Sequence, residues 1–170
     1  DAQTRAKAAA HLVEDIRAKN WHLSTGFLGV AYLCPVLTEM GYADVAYRLL
    51  LQESYPSWLY SVKAGATTIW ERWDSYNAET GAFGSEGMNS FNHYSLGSVG
   101  EWLYNYVAGI QCDAETPGYK HFILQPTPGG GLDYVNGSFD SVYGRIESNW
   151  RYAEDDTFVL NVTVPANTTA

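Results

Sequence analysis

The sequence predicts a mixed fold: helical hairpins in an inner and an outer layer, of the kind found in α/α solenoids and toroids, followed by an antiparallel β segment. Three observations predict it. Stretches that are apolar nearly all round alternate with stretches that are apolar on one side only, which is how inner and outer helices of such layers differ. Past Cys112 the composition changes, and Pro117, Gly118, Pro126, Pro128 and the run Gly129 to Gly131 punctuate short β-prone runs. The chain of 170 residues is 46% apolar and only 17% charged, the composition of a packed chain of one or two domains rather than a disordered one. No repeat of fixed period accompanies the helical pattern.

Taken in order, Ala2 to Lys19 carries Ala9, Leu12, Val13 and Ile16 at spacings of three and four, the stripe of an amphipathic helix with Asn20 as its stop. Thr25-Gly26-Phe27 breaks the chain. Leu28 to Met40 is apolar nearly all round, as a fully buried helix would be, and Gly41 closes it as a C-cap residue. Ala43 to Glu53 has Val45, Ala46, Leu49 and Leu50 on one side, and Ser57 to Lys63 reads as a short helix ending at Gly65. Ala66 to Gly87 shows neither helical nor strand period, and a long irregular loop inside a compact domain is more often functional than idle. Asn89 to Ile110 returns to a helical pattern. Phe158, Leu160, Val162 and Val164 then alternate at the period of a strand. We place the boundary near Thr116, with 1–116 helical and 117–170 stranded.

Charge narrows the class of partner. Ten Lys and Arg against 19 Asp and Glu give a net charge of −9. Without a basic cluster, phosphate backbones and anionic lipid surfaces are not expected partners. Cys34 and Cys112 lack a paired spacing and are expected to be buried small apolar residues. His11, His22 and His121 are scattered without ligand spacing, so no metal site is expected. Neither a nucleophile elbow, a phosphate loop nor a dinucleotide fingerprint occurs.

Two clusters could carry chemistry. In Thr67-Thr68-Ile69-Trp70-Glu71-Arg72-Trp73-Asp74 a carboxylate is flanked by indoles, and a partly desolvated carboxylate is a better proton acceptor near neutral pH, as a general base must be. The competing reading is that Arg72 pairs with Glu71 or Asp74 and the tryptophans are core. In Met88-Asn89-Ser90-Phe91-Asn92-His93-Tyr94-Ser95-Leu96-Gly97, His93 opens the last helix and could donate a hydrogen bond to a substrate hydroxyl. A satisfied structural histidine is the alternative there.

The runs Thr25-Gly26-Phe27-Leu28-Gly29, Pro56-Ser57-Trp58-Leu59-Tyr60, Gly65 to Asp74 and Ser90-Phe91-Asn92-His93-Tyr94 resemble, in that order, bacterial α-L-rhamnosidases of glycoside hydrolase family 78. The resemblance continues through Gly144-Arg145-Ile146 to Val164-Pro165-Ala166-Asn167-Thr168-Thr169, and so covers nearly the whole chain. One departure is Val30-Ala31, where members often have Thr-Pro. The resemblance implies the C-terminal half of an (α/α)6 toroid followed by a β-sandwich segment, within an inverting hydrolase that removes terminal α-L-rhamnosyl groups. It implies that Glu71 is the general base and that His93 contacts the rhamnose ring. Trp73 is a candidate sugar contact, with packing behind Glu71 as its alternative. The general acid is implied to lie in an acidic motif upstream of Asp1. A rhamnose-containing glycoside or polysaccharide is the implied partner, and no cofactor or metal is required. Other toroid glycosidases, polysaccharide lyases and a non-catalytic carbohydrate-binding or structural module are the competing functions. The chain by itself is expected to be inactive and to self-associate through Ala9, Leu12, Val13 and Ile16.

Overall fold

A computed structural model describes all residues, Asp1–Ala170, and divides them into two compact units, Asp1–Val99 and Gly100–Ala170. The first unit holds helices α1 (Ala2–Ala18), α2 (Phe27–Glu39), α3 (Ala43–Leu50) and α4 (Trp58–Lys63). Asp1 caps α1 by accepting the Thr4 N–H at 2.8 Å, satisfying one of the donors a helix start leaves bare. Three of these helices end alike. Asn20, Gly41 and Gly65 each adopt positive φ, and the next residue's N–H returns to a carbonyl of the last turn: Trp21 to Ile16, Tyr42 to Leu37 and Ala66 to Ser61. That is the Schellman closure, which calls for Gly or Asn at the reversing residue.

Ala9, Val13 and Ile16 of α1 are buried within this unit and Leu12 is half-buried. The exposed stripe expected there is therefore absent, because the chain folds back and covers it. The exposed apolar residues lie on α2 instead. Val30, Cys34 and Leu37 face the core, but Leu28 is 93% and Tyr32 70% exposed, and Val36 is open too, so α2 is buried on one side and not all round.

Residues 66–94 form no helix or strand, yet they are ordered by their own contacts. Trp70 meets Tyr76 and Phe91 edge-on, and Phe83 contacts both Tyr76 and Phe91. Four rings thus make a small core for the loop, which accounts for part of the high aromatic content. The loop's backbone pairs with itself, since Glu71 N–H donates to Ser90 O at 2.9 Å and His93 N–H to Ile69 O at 2.9 Å. This pairing corrects the helix expected from Asn89. Residues 90–93 give their backbone bonds to 69–71, and helix starts only at Ser95. It runs as a 3-10 turn (Ser95–Ser98), the short α5 (Val99–Trp102) and a π turn (Leu103–Val107).

The second unit contains β1 (Ile110–Cys112) paired antiparallel with β2 (Phe122–Leu124), and a three-stranded antiparallel sheet of β3 (Tyr134–Ser141), β4 (Gly144–Tyr152) and β5 (Phe158–Thr163). Side chains of both sheets meet in one cluster, with Ile110, Phe122 and Ile146 buried and Tyr119, Leu124 and Phe139 against them. Along β4 the alternation is clean: Ile146, Ser148 and Trp150 point inward. Each inward polar atom has a partner, as burial demands. Ser148 Oγ donates to Ala108 O at 2.6 Å and Trp150 Nε1 donates to Val107 O at 2.7 Å. These two bonds tie the end of the helical run to the sheet. Val107 and Ala108 belong with the sheet to the second compact unit. Ile110, expected as the last helical residue, starts β1 because Gly109 turns the chain at φ +77°. Cys112 is exposed on β1, unlike buried Cys34. Alternation puts Cys112 on the same face as buried Ile110, but as the last residue of β1 it is exposed.

Candidate active site

The loop around Glu71 and the start of α2 enclose an open cavity of about 310 Å³ lined by Gly26, Phe27, Tyr55, Glu71, Arg72, Trp73, Asp74 and Leu96. Glu71 sits half-buried in its wall. Its carboxylate is placed by one backbone donor, the Ser90 N–H, at 2.7 Å from Oε2. Together with the Glu71 N–H to Ser90 O bond, this locks Glu71 and Ser90 to each other through both backbone and side chain. Arg72 turns its guanidinium to Asp74, with Nε and Nη2 at 2.8 and 3.1 Å from the two carboxylate oxygens. That fork holds the Asp74 carboxyl below its ordinary value, chiefly through the hydrogen bonds from Arg72. So of the two carboxylates in the wall, Asp74 is tied to a cation, while the contact fixed for Glu71 is a neutral N–H. A general base needs that arrangement: one oxygen oriented by a donor and the other available to accept a proton.

The two tryptophans are not a symmetric pair about Glu71. Trp70 is buried in the loop's aromatic core. Trp73 lies edge-on to Trp58, with ring centroids 5.5 Å apart, and its Nε1 donates to Thr25 O at 2.8 Å. Its indole N–H is thus taken by the chain, and what it presents to the cavity is ring surface. His93 does not line this cavity but adjoins it through Phe27, on which its ring stacks at 4.8 Å. The fold therefore brings Glu71 and Trp73 to one cavity and places His93 one ring away. Phe27, Tyr55, Arg72 and Asp74 complete the wall. Phe27 and Tyr55 stand out by no local pattern, because the loop reaches them only through the tertiary fold; their one signal is their position inside or beside the runs that carry the resemblance noted above. No cluster of His, Cys, Asp or Glu able to hold a metal ion occurs.

Residues 1–107 match the bacterial alpha-L-rhamnosidase 6 hairpin glycosidase domain, and residues 109–170 match the bacterial alpha-L-rhamnosidase C-terminal domain. The chain belongs to the bacterial α-L-rhamnosidase family. An alpha-L-rhamnosidase of Streptomyces avermitilis is 49% identical over 166 residues, and one of Formosa agariphila is 43% identical over 168. A crystal structure of the Streptomyces avermitilis alpha-L-rhamnosidase complexed with L-rhamnose superposes with a TM-score of 0.93 at 48% identity over 99% of this chain. The native enzyme of Aspergillus terreus gives the same TM-score at 36% identity and the same coverage. These relatives are much longer: the chain spans 16% of the Streptomyces protein and 18% of the Formosa one. The rhamnosidase matches agree with the observed order, helical hairpins first and antiparallel sheets after.

Proposed function

We propose that this chain supplies the general-base side of an inverting α-L-rhamnosidase site, acting within a larger hydrolase on terminal α-L-rhamnosyl groups of glycosides or polysaccharides. The observation that carries the reading is the state of Glu71. It is a half-buried carboxylate in a cavity wall, oriented by Ser90, with the neighbouring cation engaged by Asp74. Glu71 takes a proton from a water as that water attacks the anomeric carbon, and the bond to the leaving oxygen breaks on the opposite face. Protonation of that oxygen needs a second carboxyl, about 6.5–9.5 Å from the first in an inverting site. In this proposal that acid belongs to a part of the enzyme outside the 170 residues. His93 donates to a rhamnose hydroxyl, and Trp73 offers its ring to the sugar. The helical part, ending at Val107, holds the chemistry. The stripe of Leu28, Tyr32 and Val36 on α2 is what would drive the isolated chain to self-associate.

Glu71→Gln in the full-length enzyme tests this. It keeps the shape and the Ser90 contact but removes the base, so kcat on an aryl α-L-rhamnoside should fall at least about 100-fold with KM little changed. A binding module would tolerate Gln, and retention of more than roughly a third of kcat would remove Glu71 from the role.

A further inference from the structure

We propose that Phe27 and Tyr94 are positioning residues that clamp the His93 imidazole by stacking on it and so aim its Nε2–H at a rhamnose hydroxyl. The inference rests on the reading of His93 as a sugar contact and adds what makes that contact directional. Two rings stack on the imidazole. Phe27 and His93 are stacked with centroids 4.8 Å apart and planes 14° from parallel, and His93 and Tyr94 are stacked at 5.6 Å and 3°. Both spacings fall in the range of favourable offset stacking. An imidazole stacked on two near-parallel rings is held to their plane, because tilting it would weaken both stacks.

The remaining freedom, which edge of the ring points outward, is settled by the backbone. Ser95 N–H lies 3.4 Å from His93 Nδ1 and can only donate, so Nδ1 accepts and the neutral ring carries its proton on Nε2. The backbone of His93 is itself fixed to the Glu71 segment by the bond from its N–H to Ile69 O, with Thr68 Oγ1 bonded to Phe91 O beside it. Phe27 also lines the Glu71 cavity, so one ring joins the histidine to the site. Tyr94 makes its ring contact with His93 as an exposed residue. A purely structural histidine would not need a donor edge left for a partner.

The test is a double-mutant cycle in the full-length enzyme, read by the inhibition constant of L-rhamnose and by KM and kcat on an aryl α-L-rhamnoside. Phe27→Leu and Tyr94→Leu each remove one stack, and each should raise the inhibition constant roughly two- to tenfold, the range of an aromatic pair. Tyr94→Phe keeps the ring and should restore the constant. In a His93→Ala background neither leucine should add anything, because residues that act through one another are not additive. A melting temperature for every variant separates loss of fold from loss of aim; if Phe27→Leu does not fold, Tyr94→Leu carries the same cycle. Leucine effects that persist undiminished in the His93→Ala background, or that are absent in the wild-type background, overturn the clamp while leaving His93 as a sugar contact. An unchanged inhibition constant in His93→Ala itself overturns that reading and the clamp with it.

Discussion

Cys34 and Cys112 carry the same thiol in opposite surroundings, and nothing in their spacing along the chain distinguishes them. Cys34 faces the core from α2, where burial pushes its thiol up to about 12, whereas Cys112 is exposed on β1. Only the thiolate reacts with a disulfide reagent. Native protein should therefore show one fast thiol per chain with an aromatic disulfide, two after denaturation, and none fast in Cys112→Ser; two fast thiols in the native state would place Cys34 at the surface. Glu71 teaches a related lesson. Its candidacy was legible, since a carboxylate amid indoles on an unperiodic loop has the surroundings a general base needs. Its support was not. The group that orients it is the N–H of Ser90, and the indoles pack on other rings, Trp70 on Phe91 and Trp73 on Trp58. A partner that lies across a loop is set by backbone pairing, which no side-chain pattern announces.

Among elements, helix ends were more legible than helix interiors. Asn20, Gly41 and Gly65 stand where the apolar period stops, and each reverses the chain at positive φ as its residue type favours. The helix expected from Asn89 to Ile110 failed at both ends for one reason: its terminal residues found backbone partners outside the helix. At the C-terminal end the agent is Gly109. It has φ +77°, and a Cβ there would meet Pro126 N at 2.1 Å, while the Gln125 N–H donates to Gly109 O at 2.8 Å. Gly118 is a useful contrast, with φ +92° and nothing within 4 Å of where its Cβ would be. Gly118→Ala should cost about 1 kcal/mol of backbone strain alone. Gly109→Ala adds a clash with main chain that cannot rotate away, so its loss should exceed that of Gly118→Ala in urea unfolding followed by tryptophan fluorescence. Equal losses would show that β1 and the turn before β3 yield easily, and that the close approach is not a constraint.

At the scale of the whole molecule, the proposed function gives this chain one half of a hydrolytic pair. Acid catalysis at neutral pH needs a carboxyl that keeps its proton, which desolvation or a neighbouring negative charge supplies. The other carboxyl in the Glu71 cavity is Asp74, and Arg72 drives it the other way, holding it ionised. Glu86 lines an adjoining cavity with Glu71 and is exposed. Rhamnose itself is neutral, so the net charge of −9 neither attracts nor repels it and cannot substitute for an acid. The purified 170-residue chain should fold, with its tryptophans giving a near-ultraviolet signal, and yet give no turnover of an unactivated alkyl α-L-rhamnoside above the Glu71→Gln control. The choice of leaving group sharpens the result. A 2,4-dinitrophenyl rhamnoside departs without protonation, so if Glu71 is competent as a base and only the acid is missing, slow Glu71-dependent release from this activated substrate is the most the chain could show. Steady hydrolysis of an unactivated alkyl rhamnoside, lost on Glu71→Gln, would mean that a working acid lies within these residues, and loss of that activity in Glu86→Gln would identify it.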